Sequence, residues 1–172
     1  MNPKFLRDLF DIERFHHEAL PSVLSINQLL INNKTYTREM IESQLAASGL
    51  VRMFSVFEAA FENLFGKRPR GQGLITWLKS QNGVDPKGMY KDWETLEILY
   101  KLRHCFGHTL NSMLPNYESD IQNCRESKYE YPAKFKIVNN DEIELKISSL
   151  ESLRIITAYL IEASPTVNWK KI

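Results

Sequence analysis

Cysteine is scarce in this chain, and long hydrophobic runs are missing from it. The 172 residues include only two cysteines, Cys105 and Cys124, so a disulfide framework of the kind that holds small secreted domains together is excluded. No apolar run reaches the ~20 residues that cross a bilayer. Acidic side chains interrupt the N-terminal stretch MNPKFLRDLFDIERFHHEAL, which is unlike a signal peptide. We therefore expect a cytoplasmic protein with no membrane partner.

The charges nearly cancel, and this excludes a strong whole-molecule attraction to nucleic acid. The formal net charge is +1, whereas nucleic-acid-binding domains are commonly basic overall. Locally the balance differs, because residues 66–103 carry eight basic and four acidic side chains. A local basic surface would suit a ligand that bears phosphate. The alternative is a set of scattered lysines that only keep the protein soluble.

The length predicts one domain over residues 1–172, built around a single core. Asn2 and Pro3 are typical of a helix start, and the apolar spacing carries that helix to Leu20. Pro21 should break or kink it, and a short apolar helix should follow over residues 22–33.

A second long helix should begin near Thr37, whose hydroxyl can cap it, and run through VRMFSVFEAAFENLF. Residues 66–73 predict a loop, and residues 74–83 a short helix. The third major helix should cover residues 93–114, where Pro115 closes it.

The C-terminal part changes from helical spacing to alternation. KFKIVNNDEIELKIS predicts a β-hairpin at about residues 134–148. Ser148 and Glu151 then form the pattern of a capping box that opens the last helix. The predicted fold class is all-α: a bundle of four to six helices with a small β-hairpin before the last one.

The stretch LYKLRHCFGHTLNSM concentrates polar and reactive side chains on the third major helix. With Arg103 at zero, an ideal helix places His104 at about 100°, His108 at about 140° and Asn111 at about 80°. The last three should therefore form one polar ridge. Arg103 falls instead among apolar positions, where an uncompensated charge is costly.

Two arrangements would satisfy Arg103. It reaches an acid such as Glu58 on a neighbouring helix, or it lies in a cleft or subunit interface that receives an anion. Gly107, which costs ~1 kcal/mol relative to alanine inside a helix, suggests that something approaches the backbone there.

Three chemistries compete for this stretch. His104 and His108 could bind zinc with Cys105 or Cys124, although no pair of closely spaced cysteines or carboxylate completes the ligand set. Cys105 could be a nucleophile, although no group evidently orients its base. Phosphoryl transfer without a metal fits better, because histidine moves protons near neutral pH and arginine stabilises charge on a phosphorane.

The run Arg103-His104-Cys105-Phe106-Gly107-His108 resembles the R-x4-H motif of the HEPN superfamily, small all-α domains that include many prokaryotic RNases. The family has a polar residue after the arginine, a position that His104 fills. The segment VRMFSVFEAAFENLF is similar to the second helix of several HEPN groups, and some also have a hairpin before the last helix. The resemblance covers nearly the whole chain, although only the motif is specific.

The resemblance implies a metal-independent endoribonuclease without a cofactor, active as a homodimer whose motif helices face each other. Arg103 would stabilise the phosphorane, His108 would act as general base or acid, and His104 would position substrate or hold the arginine. Asn111 would be a helper, and Glu58 is our own inference as an orienting partner.

The implied partners are an RNA substrate and, in a toxin–antitoxin or phage-defence setting, an antitoxin protein. HEPN toxins that a nucleotidyltransferase silences often carry a tyrosine two residues after the histidine. Leu110 stands there in this chain, which argues against that form of control. The rival hypotheses are a non-catalytic HEPN-like module that binds nucleotides or a protein, and a plain helical interaction domain.

Overall fold

The computed structural model describes residues 3–26, 28–31, 34–84, 90–109, 111–124, 132–139 and 141–172. Within them the chain is mostly helical, with two short antiparallel hairpins. The elements in chain order are α1 (Lys4–Leu24), β1 (Gln28–Ile31), β2 (Lys34–Thr37), α2 (Arg38–Phe65), α3 (Leu74–Lys79), α4 (Tyr90–His108), α5 (Glu118–Asn123), β3 (Phe135–Val138), β4 (Glu142–Leu145) and α6 (Ser148–Glu162). Single 3₁₀ turns cover Pro115–Tyr117 and Trp169–Lys171. The predicted helical class is confirmed.

The central element is α2, which packs against α1, α4, α6 and β4. Its side chains Phe54, Phe57 and Phe61 are fully buried, and their rings meet one another with centroids 4.5–5.8 Å apart. Aromatic groups of this size contribute more buried apolar area than any other side chains. The phenylalanine-rich half of α2 is therefore the core on which α4 rests.

The small residues of α2 allow a second helix to come close. A Cβ added at Gly49 would lie 2.6 Å from Leu150 Cδ1 of α6 and 3.1 Å from the ring of His16. These distances leave no room for a side chain at Gly49. α6 and α1 therefore both approach α2 closely at this glycine.

The first third of the chain departs from its prediction in two ways. Pro21 lies inside α1, which continues to Leu24. A proline removes one amide donor, and near the end of a helix only one further turn depends on it. The predicted helix over 22–33 is wrong, because β1 and β2 pair as an antiparallel hairpin in which Gln28 faces Thr37. Asn2, the predicted cap, lies outside the described residues, and so do Asn32 and Asn33 at the end of the predicted helix over 22–33.

Of the two side-chain caps predicted at the starts of α2 and α6, one is confirmed and one is wrong. The hydroxyl of Thr37 accepts a hydrogen bond from the Met40 amide at 3.4 Å, which confirms the predicted start of α2. The capping box at Ser148 is wrong, because α6 begins at Ser148 with Ile147 in the cap position and no side-chain cap. Glu42 of α2 accepts from the Ile147 amide instead, at 3.4 Å, so α2 rather than α6 supplies the acceptor.

The second hairpin lies where the alternation predicted it, and it is fastened to α2. Ile137 of β3 faces Ile143 of β4, and Asn139 in the turn has a φ of 51°, a left-handed conformation that asparagine tolerates. The buried hydroxyl of Ser43 accepts from the Leu145 amide at 2.9 Å. This bond fixes the hairpin beside α2 and so orders the segment that follows α4.

Candidate functional site

The motif helix α4 is held by its apolar side, which leaves the polar residues of its last turns at an edge. Leu99, Leu102 and Cys105 have no exposed surface, while Arg103 and His104 are partly buried and His108 is exposed. Helical geometry produces this pattern, because consecutive residues lie about 100° apart around the helix axis, so some face the core and others face outward. At this edge α4 lies beside α2 and the loop of residues 66–73.

Arg103 is paired with Glu58, as the first of its two predicted arrangements required. Its Nη2 lies 3.4 Å from Glu58 Oε2, and the Arg103 and Glu58 side chains are only 22% and 20% exposed. A guanidinium in an apolar stripe needs such a counter-ion, since an unpaired charge there would be strongly destabilising. The protein therefore meets the electrostatic demand of Arg103 within a single chain.

A second arginine, Arg68, reaches the same carboxylate from the loop. Its Nη2 lies 3.3 Å from Glu58 Oε1, and its Nη1 donates to the Gln72 carbonyl at 2.9 Å and to the Tyr100 hydroxyl at 3.3 Å. Sequence reasoning missed Arg68 and Tyr100 as site residues. The excess of basic residues over 66–103 was the one signal that pointed to this loop. We call Glu58, Arg68, Tyr100, Arg103, His104 and His108 the arginine–histidine cluster.

His104 lies between Arg103 and His108. Arg103 Nη1 is 3.5 Å from His104 Nε2, and because a guanidinium can only donate, Nε2 acts as the acceptor and the ring proton belongs on Nδ1. The His104 and His108 rings are parallel within 1°, with centroids 5.8 Å apart. The two predicted histidines thus stack as neighbours on the surface of one helix.

The environment of His104 keeps its ring uncharged at neutral pH. Burial, followed by the positive charge of Arg103 and the nearby His108, lowers the pKa of His104 to about 4. Tyr100 covers one side of the ring, with centroids 4.5 Å apart in an edge-to-face arrangement. Burial also raises the pKa of Tyr100, whose hydroxyl therefore stays protonated. Among the charged members of the cluster, the two arginines outnumber the single carboxylate.

Asn111 does not continue the polar ridge, because α4 ends at His108 rather than at Leu114. The Thr109 hydroxyl donates to Cys105 O or Ser112 O, each 2.7 Å away, and the Asn111 carbonyl accepts from the Ile143 amide at 2.8 Å. Ser112 forms a β-bridge with Glu142. Pairing with β4 replaces the last predicted helical turns, so the helical position predicted for Asn111 is wrong. Leu110 lies outside the described residues.

The cysteine alternatives are not supported by the structure. Cys105 is fully buried in the core, and burial raises the pKa of its thiol, the opposite of what a nucleophile needs. Its sulfur accepts from the Leu114 amide at 3.5 Å. Within the described ranges no group of three or more His, Cys, Asp and Glu side chains converges as metal ligands would.

Further concave surfaces lie outside the cluster. A cleft of about 930 Å³ is lined by Lys134, Phe135 and Lys146 among others, but residues 125–131 beside it in the sequence lie outside the described residues. A groove of about 330 Å³ runs between α2 and the end of α4, bounded by Ala47, Phe106 and Gly107. Apart from its two sequence neighbours and its own helix backbone, no atom of the described residues lies within 4 Å of a Cβ added at Gly107.

Comparisons with protein-family models, with curated proteins and with solved structures find no match to this chain. In the part of the chain that is described, every helix is too short or too polar to traverse a lipid bilayer.

Proposed function

We propose that the protein is a metal-independent endoribonuclease of the HEPN type. The observation that carries this proposal is the cluster at the end of α4, where His104 touches Arg103 and stacks on His108. RNA cleavage through the 2′-hydroxyl requires a proton-transfer group and fixed positive charge beside the phosphorane. Both chemistries occur in adjoining side chains of the motif that resembles the HEPN signature.

In the proposed reaction His108 is the proton-transfer group. The 2′-oxygen of RNA loses its proton to a base and bonds to the adjacent phosphorus, and the bond from phosphorus to the 5′-oxygen breaks as that oxygen receives a proton. The products are a 2′,3′-cyclic phosphate and a 5′-hydroxyl. Arg103 stabilises the charge on the phosphorane, and His104 holds Arg103 through Nε2. Glu58 orients the arginine from the opposite side.

The proposed active form is a homodimer that joins two motif helices, as the HEPN resemblance implies. The exposure of His108 and the open space above Gly107 support a surface that a second copy can reach. A two-fold axis would let the arginine of one chain meet the histidine of the other. The proposed setting is a cytoplasmic toxin–antitoxin or phage-defence system, with an antitoxin protein as a further partner.

Cleavage in EDTA tests the proposal. The purified protein should cut single-stranded RNA without divalent metal and leave 2′,3′-cyclic phosphate ends. Arg103→Ala and His108→Ala should each lower the rate by roughly 100-fold or more, the usual effect of losing transition-state charge or proton transfer. Arg7→Ala on exposed surface of α1 is the matched control. Cleavage that survives both substitutions would contradict the site.

Mixing the two inactive variants tests the composite dimer. A mixed dimer of Arg103→Ala and His108→Ala chains contains one site with both groups intact, if each site combines residues of two chains. Exchange of subunits should then restore up to about a quarter of the wild-type rate, because half of the dimers are mixed and each has one of two sites. No recovery, with subunit exchange verified, would place the whole site in one chain.

The alternative is a non-catalytic HEPN-like module that binds nucleotides or a protein. The closed contact between Glu58 and both arginines favours it, because a carboxylate already occupies the groups that would bind phosphate. Such a module would bind nucleotides without releasing cyclic-phosphate products. His108→Ala would then leave its binding unchanged.

A further inference from the structure

Arg68 makes more contacts than are needed to close its loop. It closes the loop of residues 66–73 by donating to the Gln72 carbonyl, and its side chain is only 25% exposed. The same guanidinium also lies against Glu58 and the Tyr100 hydroxyl. Closing the loop needs one donor, whereas Arg68 turns its second terminal nitrogen into the cluster.

The charges of the cluster do not balance. One carboxylate, Glu58, has an arginine on each oxygen, with N–O distances of 3.3 and 3.4 Å. One arginine would neutralise it, and the second leaves one positive charge over, since His104 is neutral at pH 7. Both contacts are longer than the 2.7–2.9 Å of a strong charge-assisted hydrogen bond. Both guanidinium groups thus reach one carboxylate through long contacts, an arrangement that suits an additional anion.

We propose that Arg68 and Arg103 together bind one phosphate group of RNA, and that Glu58 is the internal counter-ion this phosphate competes with. The proposal rests on the proposed function for the identity of the ligand. Guanidinium groups match the oxygens of a phosphate bidentately, and two of them on one phosphate neutralise its charge. Arg68 acts in this scheme as a phosphate-binding residue that the R-x4-H motif does not contain.

Binding of an RNA that cannot be cleaved tests the assignment without requiring activity. The probe is a fluorescently labelled single strand of 2′-O-methyl RNA, titrated by fluorescence anisotropy at several KCl concentrations. Arg68→Ala should weaken binding roughly tenfold, the effect of losing one charge-assisted contact. It should also reduce the slope of log K against log salt by ~0.7, the share of one phosphate on a single strand.

Two further variants separate phosphate binding from net charge and from folding. Arg70→Ala removes the same charge from the same loop at an exposed position, and we expect its affinity to change less than threefold. Arg68→Lys keeps the charge without the planar fork and should recover part of the affinity. Inorganic phosphate should raise the melting temperature of the wild type more than that of Arg68→Ala. A purely structural Arg68 would leave the phosphate effect and the salt slope unchanged.

The outcomes separate this inference from the proposed function. Equal binding by the Arg68→Ala and Arg70→Ala variants, with cleavage still dependent on Arg103 and His108, would overturn the inference and keep the nuclease. Binding that depends on Arg68 in a protein that does not cleave RNA would keep the phosphate site and reject the nuclease.

Discussion

Replacement of Glu58 by glutamine removes the negative charge that Arg68 and Arg103 share. The glutamine side chain would keep the shape but only one acceptor oxygen. One of Arg68 and Arg103, which now contact different oxygens of Glu58, would therefore face an NH2 donor, and both would lose their counter-ion. Exposed salt bridges contribute about 0.2–1 kcal/mol each, and breaking a buried pair costs about 3–5 kcal/mol. The side chains here are 20–25% exposed, and we expect Glu58→Gln to lose about 1–2 kcal/mol of unfolding free energy.

This loss is measurable as a melting temperature. For a chain of this size 1 kcal/mol corresponds to roughly 2–4 °C, so the variant should melt about 3–6 °C lower in chloride buffer. Circular dichroism at 222 nm follows the loss of helix that dominates this fold. Glu62→Gln, one turn further along α2, removes the same charge from outside the cluster and serves as the control.

Inorganic phosphate supplies the decisive comparison. If phosphate competes with Glu58 for the arginines, it should bind the variant more tightly and restore most of the lost stability, since any ligand of the folded state stabilises it. Wild-type protein should gain less from the same concentration. Equal gains in wild type and variant, or no loss of stability in chloride, would refute the view that the carboxylate screens two repelling arginines.

The remaining predictions concern His104 and two glycines. The pKa of His104 falls from 6.5 to about 4 in the folded protein, so the unfolded state binds more protons between these values and stability falls as pH falls through this window. After allowance for solvent screening we expect the wild type to lose about 1 kcal/mol more than His104→Gln between pH 7 and 5, measured by urea unfolding; parallel losses in the two proteins would contradict the low pKa. Gly49→Ala should destabilise by about 1–3 kcal/mol because its Cβ meets Leu150 and His16. Gly107→Ala, with open space around the added Cβ, should raise the unfolding free energy by about 0.5–1 kcal/mol. Urea unfolding measures both glycine variants. A Gly49→Ala protein that is not destabilised, or a Gly107→Ala protein that is, would contradict the packing described at that glycine.

Elements that depend on local pattern were predictable from sequence. The spacing of Phe54, Phe57 and Phe61 required one long helix, and the alternation over 135–145 required a hairpin; both are present. The pairing of Arg103 with Glu58 was also within reach, because a cation among apolar positions has few partners that satisfy it. The need of one partly buried charge for a counter-ion can thus identify a contact between distant parts of the chain.

Elements that depend on tertiary partners were not predictable in the same way. Helical spacing continues past His108, but the Asn111 carbonyl and the Met113 amide bond to the β4 region instead, to Ile143 and Asp141. These bonds to the β4 region replace the last predicted helical turns. Their partners lie about thirty positions further along the chain, so a local sequence pattern cannot reveal them. Arg68 was missed for the same reason, since the partner of a loop cation is set by how the loop lies on α2 and α4.

The burial of Arg103 no longer requires a second subunit, because Glu58 supplies its counter-ion. The different surroundings of the two histidines are a separate reason for the dimer that we propose. His104 directs its Nε2 lone pair at Arg103, so the proton transfer of the proposed reaction falls to His108. In one chain the His104 ring lies between Arg103 and His108, with its centroid 5.8 Å from that of His108. In the dimer that we propose, the exposed His108 of the second copy would be the histidine that approaches a phosphate on the arginines from another direction.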